Sequence, residues 1–123
     1  MMVREILGRI RIALFLIAIV PVTLFLIPPQ WVMIKLRLRA GFLLPMIYHR
    51  FVTRLMGLKI RIHGMPLTTG PRLFLSNHVS WLDIVALSTA LPVSFIARAD
   101  VASWPIFGLF AKLQQTVFVD RTR

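Results

Sequence analysis

The chain has 123 residues, enough for one small domain, yet it is 58% hydrophobic and carries a formal net charge of +11. So apolar a composition does not suit a nucleic-acid-binding domain, although the charge alone would allow one. Without cysteine there is no disulfide, thiolate nucleophile or cysteine metal site, and His49, His63 and His78 lack ligand spacing, so no structural metal is expected.

From Ile12 to Ile34 there is no charged residue, but Pro21 and Pro28-Pro29 interrupt the run. Its cleanest part, Ile12 to Ile27, is about 24 Å long as a helix, short of a hydrocarbon core of roughly 30 Å. A helical hairpin dipping into one leaflet, bent at Pro28-Pro29, fits as well as a crossing. Arg4, Arg9 and Arg11 before the run and Lys35, Arg37 and Arg39 after it give no orientation. No small-x-small site follows it, which favours an uncleaved anchor over a signal peptide. Residues 31 to 56 predict a second helical stretch kinked at Pro45. Lys35 with Arg39, and Arg50 with Arg54, fall at i,i+4 and would form a basic face. Such a face is either solvated or laid on anionic lipid headgroups, at on the order of 1 kcal/mol per basic residue. We therefore take residues 1 to 56 as a membrane-anchoring or interfacial helical region, with tighter binding expected to anionic membrane lipids.

At Gly57 the pattern changes. LKIRIHG (58–64) alternates like a half-exposed strand, and RLFLS (72–76) reads as a buried one. WLDIVALSTAL follows as a helix stopped before Pro92, then VSFIA (93–97) as a strand. WPIFGLFAKLQ (104–114) reads as a helix on which Trp104 and Phe107 pack, and TVFVD (116–120) as a fourth strand. Strands alternating with helices predict an α/β sheet over residues 57 to 123.

The stretch SNHVSWLDI (76–84) holds the chemistry. Ser80-x-x-Asp83 before an apolar run resembles a capping box, with the acid in the first helical turn favoured by the helix dipole, and Asn77 could simply shape the turn. The same residues suit a second role. A histidine at a strand's carboxyl end lies where ligands bind in open α/β sheets. If His78 precedes the helix and Asp83 lies in its first turn, the carboxylate can fix the ring tautomer and favour the imidazolium. Capping and general-base chemistry are compatible.

Asn77-His78-Val79-Ser80-Trp81-Leu82-Asp83 matches the N-H-x-S-x-x-D motif, and the chain here resembles the glycerolipid acyltransferases, which include bacterial 1-acylglycerol-3-phosphate acyltransferases. Phe95-Ile96-Ala97-Arg98, Trp104-Pro105-Ile106-Phe107-Gly108 and Phe118-Val119-Asp120-Arg121 resemble the family's next block, in the right order. The resemblance covers roughly residues 57 to 123.

It implies transfer of an acyl chain from a thioester to a lipid hydroxyl, with His78 as general base and Asp83 orienting it. Ser80 would cap the helix rather than act as nucleophile. Arg121, and less directly Arg98, would hold the acceptor's phosphate through bidentate guanidinium geometry. The implied partners are acyl-CoA or acyl carrier protein as donor and a lysophospholipid as acceptor, with no cofactor and no nucleic acid. The preferred acceptor is 1-acylglycerol-3-phosphate, giving phosphatidate; a lyso-ornithine lipid is the alternative, and a noncatalytic membrane-binding module is a rival of another class. The implied location is the cytoplasmic face of the inner membrane. The family's following proline-glutamate-glycine-threonine block is absent before Arg123. The chain therefore reads as an N-terminal fragment, and residues 1 to 123 alone are expected to be inactive.

Overall fold

A charge-free run favours helix, because a helix satisfies its backbone groups internally where no water can. In the computed structural model, which describes residues 1–65 and 69–120, this run lies within a single helix, α1 (Met2–Lys35), of 34 residues. It is long and apolar enough to cross a membrane. Pro21, Pro28 and Pro29 all sit inside it, so the expected bend at Pro28-Pro29 is not where the chain turns. Each proline removes one N–H donor, but its fixed φ is itself helical. The helix ends instead at a Schellman turn, with Arg37 in the left-handed region at φ 52°. There the Arg37 N–H donates to Ile34 O at 3.0 Å and the Leu38 N–H to Met33 O at 2.9 Å.

Helix α2 (Ala40–Met56) returns along α1 and contains Pro45. Gly57, at φ 71°, closes it in the same way. Lys35 ends α1 while Arg39 is the N-cap of α2, so these two do not share a helix face as the i,i+4 spacing predicted. The turn between them breaks the register. Arg50 and Arg54 do lie on one helix. Arg50, however, turns toward protein, donating from Nε to Thr89 O at 2.9 Å.

Beyond α2 come α3 (Leu82–Ala90), β1 (Ile96–Arg98), a 3-10 turn (Ala99–Ser103), α4 (Phe107–Leu113) and β2 (Val117–Val119). The two strands pair in parallel, Ile96 with Val117, Ala97 with Phe118 and Arg98 with Val119. Residues 58–64 and 72–76, expected as strands, are not strands here. A strand needs neighbours for its backbone groups, and Ile62, Leu73 and Leu75 are exposed. Trp104 and Phe107 also depart from expectation, being 51% and 67% exposed. The short helix α4 turns Gly108 and Leu113 inward instead.

At Gly108 a Cβ would stand 2.5 Å from Ala102 O, a backbone atom that cannot swing aside. Gly108→Ala should therefore lower stability by roughly 1–3 kcal/mol, the usual range for overpacking. Thermal melts of the purified protein check this.

Helix ends leave carbonyls without donors, and side chains from α1 and α2 supply them. The regular partner of Gly41 O would be the amide of residue 45, which is proline and has none. The regular partner of Leu113 O would be the Val117 N–H, which donates to Phe95 O in the sheet. Gln30, 5% exposed, donates from Nε2 to both, at 2.8 Å and 2.6 Å. Its Oε1 is buried without a partner among the described residues, a loss that typically costs about 1–3 kcal/mol. Thr89 O, near the end of α3, takes the Arg50 donor for the same reason, since the Val93 N–H turns to Leu91 O. The Thr23 and Tyr48 hydroxyls, 2.7 Å apart, tie α1 to α2, and Gln114 Nε2 donates to the buried Ser88 Oγ at 2.6 Å, tying α4 to α3.

Candidate active site

The site is built by the start of α3. Residues 72–79 form neither helix nor strand, so His78 stands in irregular chain just ahead of α3 rather than at the end of a strand. Asp83 is the second residue of the helix. Its Oδ2 lies 3.3 Å from His78 Nδ1 and accepts the N–H groups of Val79 at 2.6 Å and Ser80 at 2.9 Å. One oxygen thus gathers the imidazole and two orphan amides. The Ser80 N–H to Asp83 bond is the return half of a capping box. The forward half is altered: Asp83 N–H goes to the Ser80 carbonyl at 3.1 Å, while Ser80 Oγ accepts the Leu82 N–H at a long 3.3 Å. Trp81, not Ser80, occupies the N-cap.

These bonds hold the Asp83 carboxyl below its ordinary range, the Ser80 N–H contributing most, then the Val79 N–H, with His78 adding less. The carboxylate is therefore ionised at neutral pH and presents a fixed negative charge to Nδ1. That charge favours the tautomer with the ring proton on Nδ1, leaving Nε2 as the open acceptor. The imidazole is 62% exposed. Leu75, Val79 and Trp81, its near neighbours in the chain, are exposed as well, so apolar side chains adjoin His78 in the sequence.

Asn77, also singled out in the motif, makes no side-chain hydrogen bond among the described residues and serves the turn by position. Arg98 stands apart on β1, its Nε 3.2 Å from Asp100 Oδ1, with both side chains largely exposed. Arg121 lies outside the described residues. Sequence reasoning missed Gln30, Gln114 and Ser88. For Gln30 a signal existed: it and Thr23 are the polar residues of the run 12–34, and polar groups in such runs commonly bond between helices.

Residues 59–123, which include this constellation, match the family model described as Acyltransferase. The chain is 49% identical over 116 residues to the lyso-ornithine lipid O-acyltransferase of Brucella abortus, covering 94% of this chain and 43% of that protein. It is 46% identical over 112 residues to the lyso-ornithine lipid O-acyltransferase of Rhizobium meliloti, covering 91% and 38%. To the 1-acyl-sn-glycerol-3-phosphate acyltransferase of Neisseria gonorrhoeae it is 45% identical over 60 residues, or 47% and 24%. The chain thus spans less than half the length of these curated relatives. No solved structure matches it. A histidine held by an aspartate at a helix start, within a matched region of more than half the chain, places this protein in the acyltransferase family.

Proposed function

We propose that the protein transfers an acyl chain from a thioester, acyl-CoA or acyl carrier protein, to the free hydroxyl of a lyso-lipid. The contact between His78 Nδ1 and Asp83 Oδ2 at 3.3 Å carries this reading. His78 Nε2 takes the proton of the acceptor hydroxyl as its oxygen attacks the thioester carbonyl carbon. The carbon–sulfur bond then breaks, and the imidazolium returns that proton to the departing thiolate. Asp83 compensates the transient positive charge. The exposed apolar residues beside His78 suit substrates with acyl chains.

The motifs alone favour 1-acylglycerol-3-phosphate as acceptor; the relatives move the preference to lyso-ornithine lipid. Similarity to the Brucella and Rhizobium lyso-ornithine lipid enzymes runs through α1 and α2 as well, whereas similarity to the Neisseria enzyme covers about half the chain. In this reading residues 1–56 anchor the protein to anionic lipid at the cytoplasmic face of the inner membrane. Residues 57–123 begin an α/β domain larger than the β1–α4–β2 unit. Arg98 and Arg121 would contact the acceptor head group.

The test uses the full-length protein in nanodiscs, given one thioester donor and each acceptor in turn, with products identified by mass. Acylation of the lyso-ornithine lipid should exceed that of 1-acylglycerol-3-phosphate by at least about tenfold in kcat/KM, a difference of about 1.4 kcal/mol. The reverse preference would transfer the assignment to the phosphatidate-forming reaction, and turnover with neither would overturn it.

A further inference from the structure

We propose that Gln30 is a positioning residue for the His78–Asp83 pair, fixing the catalytic helix against the helix apolar enough to enter the membrane. The inference rests on the acyl-transfer reading above. Its basis is a chain of short hydrogen bonds through buried and half-buried groups. Gln30 Nε2, on α1, donates to Leu113 O at 2.6 Å and to Gly41 O at 2.8 Å. The next residue after Leu113, Gln114, donates from Nε2 to Ser88 Oγ at 2.6 Å. Ser88 is 1% exposed and lies on α3, whose first turn carries Asp83. From α1 to the catalytic helix there are therefore two side-chain bonds and one peptide unit.

The Gln30 amide can sit only one way round, because the reversed orientation would set Oε1 against two carbonyl oxygens. The bond between Thr23 and Tyr48 joins α1 to α2, and Arg50 continues from α2 to Thr89 O near the end of α3; this parallel route bypasses α4, so the route through Gln30 is the one that also ties α4 to α1. A lipid acceptor meets His78 at a height set by the bilayer. The height of His78 itself is set by how α3 is held on α2 and, through α4, on α1. A misplacement of about 1 Å at a reacting centre can cost on the order of 100-fold in rate, which makes this linkage kinetically sensitive while the base itself remains intact.

The experiment uses the full-length protein in nanodiscs, comparing Gln30→Met, Gln114→Met, the double variant and His78→Ala. Methionine keeps the length of glutamine and removes its donor. Gln30→Met is expected to lower kcat by about 10- to 100-fold, with KM for the donor within about twofold and association with the nanodisc unchanged, at a temperature well below its Tm. Because the two bonds act in series, the double variant should lose no more than Gln30→Met alone. A kcat for Gln30→Met within about twofold of wild type, a loss expressed only in KM, or single losses that multiply in the double variant would each overturn the proposal. If Gln30→Met does not fold, Gln30→Asn, with the amide one methylene short, takes its place under the same outcomes. Activity retained by His78→Ala would instead sink the acyl-transfer reading, so the two failures are distinguishable.

Discussion

Replacing His78 with alanine in the full-length protein should lower kcat for acyl transfer by about 10²- to 10⁴-fold, the range a general base contributes. On the proposed mechanism the change deletes the group that accepts the hydroxyl proton while leaving the surrounding backbone bonds in place. Asp83 would still cap α3 through the Val79 and Ser80 N–H groups. The imidazole is 62% exposed, so its removal opens no cavity and Tm should hardly move. Binding to membranes should also persist, since α1 is remote in sequence from the site. Radiolabelled transfer measured beside vesicle flotation checks both halves. Transfer within a few-fold of wild type would end the general-base assignment.

Asp83→Asn should also lower kcat, by roughly 10- to 10³-fold and no more than His78→Ala, because the aspartate acts through the base. The asparagine carbonyl can still accept the two N–H groups, but it offers no charge to an imidazolium. The variant also has a stability signature. The folded-state pKa of Asp83 is depressed, chiefly by the Ser80 N–H. Its contribution is therefore fully present above the ordinary carboxylate value near 3.8 and is lost as pH falls through the lowered folded value. Wild type should melt above Asp83→Asn throughout the neutral range, and the gap should close only in strong acid. A gap that closed between pH 5 and 7 would contradict the assigned bonds.

The contact at the site was legible because it is local. Asp83 is five positions after His78, and a turn followed by a helix start suffices to bring them together. Where α1 and α4 end was not legible. The usual mark of a Schellman turn is glycine, and here Arg37 and Gln115 take the left-handed conformation at φ 52° and 56°. Prolines were read as breaks, but the long apolar helix runs through all three. Alternation in LKIRIHG reports which side chains would share a face, and it is silent about which backbone would pair with it. Gln30 shows the same limit from the other side. Its polarity stood out in the run, yet its acceptors are carbonyls whose residue names, Gly41 and Leu113, carry no signal at all.

Pro45 turns that last point into a statement about inheritance. A change at position 41 or 113 cannot restore what a loss at Gln30 removes, since every residue brings the same carbonyl. The deficit can be made good only by a new donor. Position 45 is where one would arise most directly, because any amino acid other than proline there returns the amide that Gly41 O would ordinarily accept. Second-site suppressors of the stability lost with Gln30 should therefore collect at Pro45, partial in strength because Leu113 O would still be bare and the tie from α1 to α4 still broken, while Gly41 and Leu113 themselves stay constrained by burial rather than by the bonds they receive.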